Sequence, residues 1–148
     1  MTKVFFGCSM RGGHKKLSRK QLAKFPQIIE ELGHKLPSKH QTKKDIIKSE
    51  DCLSPEDIHD RDYKWLMESD IGIFEITNGS IGTGEEISDM VWLGKPILCL
   101  YKKSLEGEVS AYGRGKQKSK YIESPFKCYA YKSLEDAKNK IKKFIELN

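Results

Sequence analysis

The sequence predicts one α/β domain in which a parallel sheet is covered by helices on both faces. Short apolar segments alternate along the chain with longer segments of helical periodicity. Strands that are apolar throughout are buried on both faces, which is typical of parallel sheets. A length of 148 residues, 37% of them hydrophobic, suits a single core, so we expect residues 1–148 to form one domain.

Five segments are predicted to be the strands of one sheet. They are residues 3–8 (KVFFGC), 34–40, 71–76 (IGIFEI), 96–101 (PILCLY) and 126–131 (FKCYAY). All except the second are short apolar runs bounded by polar or glycine-containing sequence. The polar segment 41–53 after the second strand is either a variable loop or a weak helix.

Four segments are predicted to be helices: residues 17–32, 54–69, 84–93 and 133–148. Pro26 should kink or divide the first of them. Ser54 and Pro55, followed by two acidic residues, form a strong helix start. Ser133 begins an amphipathic last helix. Residues 102–125 are predicted to be a long polar loop.

Composition limits the classes of partner. The formal net charge of +6 favours anions, either nucleic acid or a phosphorylated metabolite. The lysines are scattered, and no RNP aromatic motif, zinc finger or helix-turn-helix is visible, so we expect a solvated basic surface rather than a nucleic-acid footprint. No apolar run reaches the roughly 18 residues of a membrane span, and the N-terminus lacks a secretion signal, which predicts a cytoplasmic protein without a membrane partner.

The four cysteines predict neither a zinc site nor a disulfide framework. They are Cys8, Cys52, Cys99 and Cys128, and none belongs to a CxxC or Cys/His spacing. Three of them lie in apolar, strand-like runs, where cysteine behaves as a small buried hydrophobic residue.

Ligands of such sheets bind at the carboxyl ends of the strands, where the strand order reverses. This rule directs attention to residues 9–13 (SMRGG) and 77–86 (TNGSIGTGEE). Glycine-rich loops that open helices can cradle phosphate. Neither loop matches the dinucleotide fingerprint or the Walker A loop, and each alone could be a tight turn.

The carboxylates of the second loop raise a question of role. Glu86 shares a helix face with Met90 and Leu93, whereas Glu85 lies on another face. We therefore expect Glu86 to take part in the reaction, and Glu85 either to cap the helix or to be solvated. Asp62 lies on the same side of its predicted helix as the apolar Trp65. It is therefore either a structural acid with its own hydrogen-bond partners or, if a second acid lies nearby, a catalytic acid.

With these motifs together, the chain resembles the nucleoside 2-deoxyribosyltransferase superfamily, and most closely its 2′-deoxynucleoside 5′-phosphate N-hydrolase branch. The motifs are GCSMRGG, IHDRDYKWL, SIGTGEE, LGKPILCL and VSAYGRG, in the family's order between Phe5 and Gly115. The resemblance implies a flavodoxin-like sheet, a homodimer, and hydrolysis of the N-glycosidic bond of a nucleoside 5′-monophosphate without a metal or other cofactor.

The resemblance also implies roles for particular residues. Glu86 would be the nucleophile that attacks C1′ of the sugar, and Asp62 would handle the proton near the base and the incoming water. Ser110 would reach the phosphate from the other subunit. The remaining substrate-binding residues are Phe5, Ser9, Met10, Arg11, Gly12, His40, Ser80 and Gly82.

Three of these positions bear on the substrate. Ser80 stands where the transferases typically have an aspartate for the 5′-hydroxyl, and a serine can instead donate to a phosphate. Phe5 replaces the tyrosine of the deoxynucleotide hydrolases, as in members that cleave ribonucleotides, which leaves ribose or deoxyribose open. His40 matches the histidine near the base only with a one-residue shift; otherwise it is an exposed loop histidine.

The sequence therefore predicts an N-glycosidase of (deoxy)ribonucleoside 5′-monophosphates that acts through a glycosyl-Glu86 intermediate. One alternative is a nucleoside 2-deoxyribosyltransferase that passes the sugar to another base. A second alternative, of a different class, is a nucleotide-binding module without turnover.

Overall fold

A four-stranded parallel sheet forms the centre of the molecule. The structure is a computed structural model and describes residues 1–10, 16–38 and 46–148. Within them the strands are β1 (Val4–Cys8), β2 (Ile71–Glu75), β3 (Ile97–Lys102) and β4 (Phe126–Tyr131), in the order β1-β2-β3-β4. All three neighbouring pairs are parallel. The predicted α/β class is confirmed.

Seven α-helices surround this sheet in the described part of the chain. They are α1 (Arg19–Leu22), α2 (Lys24–Glu31), α3 (Ile46–Glu50), α4 (Pro55–Glu68), α5 (Ile81–Trp92), α6 (Ala111–Gly115) and α7 (Leu134–Leu147). Two 3₁₀ turns, Lys103–Glu108 and Lys116–Lys118, lie with α6 between β3 and β4, within the segment predicted to be a polar loop.

The two faces of the sheet carry separate hydrophobic clusters. Side chains of α1, α2 and α7 pack against Val4 and Phe6 on one face. Side chains of α4 and α5 pack against Phe5 and Phe74 on the other. Alternate residues of β1 therefore face opposite layers, as the pleat of a strand requires. This arrangement gives three layers, helix, sheet and helix.

The predicted fifth strand is reduced to one parallel bridge, between Lys35 and Lys3, in the described residues. Pro37 follows and has no N–H for a ladder. The Oγ of Ser38 takes the place of the next backbone pair, because it accepts from Phe6 N at 3.0 Å and donates to Phe6 O at 2.9 Å. The prediction of five strands is thus not confirmed, and residues 39–45 lie outside the described residues.

Helix boundaries agree in part with the predicted ones. Ser54 caps α4 by accepting from Asp57 N, as predicted. The segment 17–32 is divided, but the division falls at Ala23, three residues before Pro26, which occupies the first turn of α2. A proline is tolerated there because the first-turn N–H has no helical partner.

The observed start of α5 differs from the predicted one, because part of the predicted glycine loop is helical. The helix was expected from residue 84, yet it begins at Ile81, with the Ser80 hydroxyl accepting from Thr83 N. Gly82 and Gly84 are therefore helical residues. A strong N-cap decides the start, although two glycines each disfavour a helix by roughly 1 kcal/mol.

The chain crosses over beside β1. From β1 it passes to the Lys35 bridge on one side of this strand, and it returns to β2 on the other side. The carboxyl ends of β1 and β2 therefore flank a point where the strand order reverses, which is where open α/β sheets bind ligands. The site described next lies there.

Two predictions about membranes and thiols can also be compared with the structure. Within its described parts, the chain forms no helix of the length and apolarity that a membrane crossing requires. All four cysteines are free thiols, and Cys8, Cys99 and Cys128 are buried while Cys52 is exposed. The prediction that the three strand cysteines are buried is confirmed.

Candidate active site

A cavity of about 640 Å³ opens between α4 and α5 at the carboxyl end of β1. It brings together five of the residues that the sequence singled out, which are Met10, Asp62, Ser80, Gly82 and Glu86. The thiol-bearing Cys8 also lines it. Burial raises the pKa of this thiol to about 12, with the nearby Glu75 and Glu86 adding to the effect, so Cys8 is neutral and is not a nucleophile.

Glu86 lies directly above β1 because Gly7 leaves space for it. A Cβ atom placed on Gly7 would lie 2.9 Å from Glu86 Oε2 and 2.6 Å from the Phe74 ring. Glycine is thus required at this strand position for close approach of the carboxylate. Sequence analysis did not indicate this role, because Gly7 was assigned there only to a strand.

Glu85 is not a helix cap. With α5 starting at Ile81, the first turn contains no acidic residue, and Glu85 lies in the second turn, exposed to solvent. The alternative that it is solvated agrees with this exposure, and the capping alternative is wrong. Glu86, one residue later, is half-buried and points to the sheet.

The Glu86 carboxyl is held largely protonated at neutral pH. Burial raises its pKa from 4.5 to about 8, and the negative charges of Asp62, Asp89, Glu50 and Glu85 add to the effect in that order. A carboxyl surrounded by other carboxyls titrates as part of a group, so the cavity retains a proton well above the usual range. Perturbed carboxyls in a cleft are typical of functional sites.

Asp62 faces the same cavity from α4. Its side chain is 14% exposed, and Arg61 Nε donates to its Oδ1 at 3.0 Å. Burial raises the pKa of Asp62, whereas the bond to Arg61 and its charge act in the opposite direction. Two carboxyls with elevated pKa values, on neighbouring helices, thus line one cavity, and their titrations are coupled because the charge of Asp62 raises the pKa of Glu86.

The second loop presents backbone and hydroxyl groups to the cavity. Ser80 lines it while capping α5, and Gly82 lines it in the first turn of that helix. A Cβ on Gly82 would meet only Ser80 Oγ, at 4.0 Å, so this glycine leaves the surface open to a ligand. The N-terminus of a helix with free space around it suits an anion.

The first loop is described only in part. Ser9 is buried at the end of β1, and the Met10 carbonyl accepts from the Arg19 guanidinium at 3.1 Å. The predicted binding residues Arg11 and Gly12 lie outside the described residues, as does His40. Their roles stay predictions.

Asn78 joins the second loop to the segment that follows the first loop, and sequence analysis did not indicate this role. Its Oδ1 accepts from the backbone N–H groups of Lys16 and Leu17, each at 2.9 Å, and its Nδ2 donates to Leu17 O at 2.9 Å. The side chain is buried, so these bonds are shielded from water. The only sequence signal was a turn-forming Asn-Gly pair, which is not specific for a bridge to a segment some 60 residues away.

Phe5 and Ser110 do not reach this cavity in the single chain. Phe5 is fully buried beneath it, 5.8 Å from Phe74 between ring centroids, and its predicted position opposite the sugar 2′ group stays a prediction. Ser110 caps α6 and lines a second cavity of about 640 Å³ on the other side of α5. Ser80 and Asp89 border both cavities.

Three acids of the cavity were missed by sequence reasoning, and one of them, Asp51, directly follows α3. Glu50 ends α3, a segment predicted to be a loop or a weak helix, and Asp89 lies one turn after Glu86 on α5. Helical spacing could have indicated Asp89, whereas nothing local marks Glu50. The described residues include no group of three or more His, Cys, Asp or Glu side chains placed to hold a metal ion.

Glu75 is a further buried carboxyl, but it is satisfied within the fold. The Tyr131 hydroxyl donates to its Oε2 at 2.6 Å, and Thr77 N donates to its Oε1 at 2.5 Å. It does not line the cavity of Glu86. Glu75 therefore ties β2 to β4 and is not a catalytic candidate.

Sequence comparison finds similar proteins over most of the chain. A protein of Thermofilum pendens, whose name places it among the 2′-deoxynucleoside 5′-phosphate N-hydrolases, is 30% identical over 139 residues, 94% of this chain and 92% of its own. The 5-hydroxymethyl-dUMP N-hydrolase of Esox lucius is 35% identical over 115 residues, 76% of this chain and 77% of its own. No protein-family model matches the chain.

Solved structures share the fold. A CMP N-glycosidase of Clostridium botulinum superposes with a TM-score of 0.68 at 20% identity, covering 96% of this chain and 98% of its own. A 2-deoxyribosyltransferase of Bacillus psychrosaccharolyticus superposes with a TM-score of 0.59 at 18% identity, covering 93% and 90%. At these identities the likeness concerns the fold, and it confirms the predicted deoxyribosyltransferase-like architecture.

Proposed function

The chain belongs to the family of 2′-deoxynucleoside 5′-phosphate N-hydrolases, and from this premise we propose that it hydrolyses the N-glycosidic bond of (deoxy)ribonucleoside 5′-monophosphates. The products are a free base and a (deoxy)ribose 5-phosphate. The observation that carries the proposal is the meeting of Glu86 and Asp62, from two helices, in one cavity at the crossover of the sheet.

Glu86 is the nucleophile in this proposal. Its carboxylate attacks C1′ on the side opposite the base, the C1′–N bond breaks, and a glycosyl-Glu86 ester forms. Water then attacks C1′ and releases the carboxylate. Gly7 supports this role, because it lets the carboxylate lie over the end of β1.

Asp62 is the proton-handling partner. It protonates the departing base and then takes a proton from the attacking water. The raised pKa of Asp62 keeps a proton available above the usual range of an aspartate. Attack needs ionised Glu86 and departure needs protonated Asp62, so the active form of the pair holds one proton, on Asp62. Base release should therefore fall at low pH, where both carboxyls are protonated, and at high pH, where both are ionised.

The phosphate is expected at the start of α5. The Ser80 hydroxyl can donate to a phosphate oxygen, and the first-turn N–H groups point at the same region. Arg11 and Gly12, from the first loop, are proposed to complete this site on the strength of the family resemblance. A 5′-phosphate rather than a free 5′-hydroxyl is favoured, because a serine stands where a carboxylate would repel it.

A homodimer would complete the site. Ser110 lines the second cavity and not that of Glu86, and in this proposal it contacts the phosphate from a neighbouring copy, as the family resemblance implies. The surface around this region exposes four large apolar side chains, and each is more than 80% exposed: Ile81, Trp92, Tyr112 and Tyr121. Exposed apolar groups of this kind are typical of protein interfaces.

The first experiment measures base release from ribo- and deoxyribonucleoside 5′-monophosphates, each beside its unphosphorylated nucleoside. Release from the monophosphates alone, lost in Glu86→Ala and kept in the neighbouring Glu85→Ala, supports the proposal. Release from nucleosides only with a labelled acceptor base supports the transferase. Nucleotide binding without release, unchanged in Glu86→Ala, supports a binding module. The ratio of ribo to deoxy substrates then tests the position of Phe5.

A mixing experiment tests the dimer. Glu86→Ala and Ser110→Ala chains are each expected to be nearly inactive alone, and mixed dimers should regain activity, since one of their two sites then has both residues intact. Analytical ultracentrifugation of the parent protein should show a dimer. If Ser110 acted within its own chain, mixing would restore nothing.

A further inference from the structure

Glu50 is a buried carboxylate that the reaction described above does not use. It is the last residue of α3, its side chain is only 4% exposed, and it lines the cavity of Glu86 and Asp62. Its Oε1 accepts from the Arg61 guanidinium at 2.5 Å. A carboxylate is stable in such a place only when a cation is held against it.

Arg61 connects Glu50 to Asp62. The Arg61 nitrogen that binds Glu50 also lies 2.9 Å from Asp62 Oδ1, and Arg61 Nε donates to the same oxygen at 3.0 Å. The guanidinium carbon stands 4.9 Å from the centre of the Trp65 ring. One cation is therefore fixed by two carboxylates and an aromatic face, and it cannot turn toward Asp62 alone.

Because Arg61 is shared between two carboxylates, its effect on the ionisation of Asp62 changes. An arginine paired with a single aspartate holds that aspartate ionised. Here the charge of Glu50 acts on Asp62 in the opposite sense to Arg61. Among the described residues, the charged groups that act on Asp62 and Glu86 are Arg61 and His59 on α4, Glu50 on α3, and Glu85 and Asp89 on α5, and Asp51, next to Glu50, also lines their cavity.

We propose that Glu50 is a positioning residue of the active site, which holds Arg61 so that the Asp62 carboxyl stays fixed in the cavity and free to carry a proton. The inference rests on the proposed function, in which Asp62 handles the proton. It assigns Glu50 no contact with the reacting atoms. It also explains why a carboxylate is buried at the end of a five-residue helix, a costly place for a charge.

Two substitutions separate the charge of Glu50 from its shape. Glu50→Gln keeps the length and one acceptor oxygen for Arg61 but removes the charge, whereas Glu50→Asp keeps the charge. Glu68→Gln is the matched control, because it makes the same charge change on an exposed side chain of α4, which pairs with Lys64 at 3.8 Å. Circular dichroism and a melting curve confirm that each variant folds.

The readout is the pH dependence of kcat/KM for a monophosphate substrate. In Glu50→Gln the limb due to Asp62 should move to lower pH by about one unit, the size expected for removing one nearby charge. The value of kcat should fall severalfold with little change in KM. Glu50→Asp should restore the limb toward the parent position, and Glu68→Gln should follow the parent profile. A Glu50→Gln profile identical to that of the parent would overturn the proposal.

A second readout does not depend on turnover. Carbon-13 NMR of the carboxyl groups follows the titration of Asp62 directly, and its midpoint should be lower in Glu50→Gln than in the parent. Absence of base release by the parent would refute the proposed function, and with it the role of Glu50 in catalysis. Base release together with an unchanged Asp62 titration would refute the present inference alone.

Discussion

Replacing Glu86 with glutamine should stabilise the fold as it abolishes activity. The side chain keeps its size but can no longer ionise, so it resembles the protonated glutamic acid that the cavity prefers. The pKa of Glu86 is about 8 in the folded protein against 4.5 as its ordinary value. A group whose pKa is raised by folding binds its proton more tightly in the native state, so its ionisation destabilises that state as the pH rises between these two values.

The size of the effect follows from that interval. Each pH unit inside it is equivalent to about 1.4 kcal/mol, so the penalty in the parent grows by about 2.5 kcal/mol between pH 5 and pH 7. Relaxation of the neighbouring carboxyls reduces this value, and we expect Glu86→Gln to gain about 1 to 2.5 kcal/mol over the parent across the same range. The gain levels off above pH 8, where Glu86 is ionised in both states.

Urea unfolding at pH 5, 6, 7 and 8 measures this difference. The free energy of unfolding of Glu86→Gln should diverge from that of the parent as the pH rises. Glu85→Gln is the matched control: its side chain is exposed, and surface changes stay within about 0.5 kcal/mol. Parallel curves for the parent and Glu86→Gln would refute the reasoning, because they would mean that Glu86 is solvated in the native state.

Two further substitutions test the supports of the site. Gly7→Ala should lower kcat at least tenfold and destabilise the fold by about 1–3 kcal/mol, because the added methyl would clash with the Phe74 ring and with Glu86; parent-like kinetics and melting temperature would contradict this. Lys95→Met should destabilise the fold by about 1–3 kcal/mol. The Lys95 ammonium donates to three carbonyls at the end of α4, two of them at 2.8 and 2.6 Å, and an unchanged urea midpoint would show that these bonds contribute nothing.

Local sequence predicted the elements well where one signal dominated. Ser54, with Pro55 and two acids, marked the start of α4 correctly, and the apolar runs marked all four strands. The start of α5 was misplaced because glycines suggested a loop, while the Ser80 cap extends the helix to Ile81. The prediction of a strand at residues 34–40 was not confirmed for a tertiary reason, since the Ser38 side chain, and not the backbone, bonds the N–H and carbonyl of Phe6.

Sequence analysis indicated the two carboxyls that are proposed to react, but not the residues that support them. Helical phase placed Glu86 and Asp62 on inward faces, and the structure brings both to one cavity. The supporting residues Gly7, Glu50 and Asn78 act across distances in the chain that no local pattern contains. Gly7 matters only because α5 crosses above it, and Asn78 because its partners lie 61 and 62 residues earlier.

In the described part of the chain, side chains rather than further strands occupy both lateral edges of the sheet. At the β1 edge the Ser38 hydroxyl accepts from the N–H of Phe6 and donates to its carbonyl. At the β4 edge the Gln117 amide oxygen accepts from Cys128 N. The unpaired N–H and carbonyl groups of an exposed edge strand can bond to the edge strand of another molecule. Because these side chains already bond such groups, they disfavour edge-to-edge association. Edge-to-edge polymers are thereby disfavoured, which leaves the helical face that exposes Trp92 and Tyr112 as the surface for the proposed dimer.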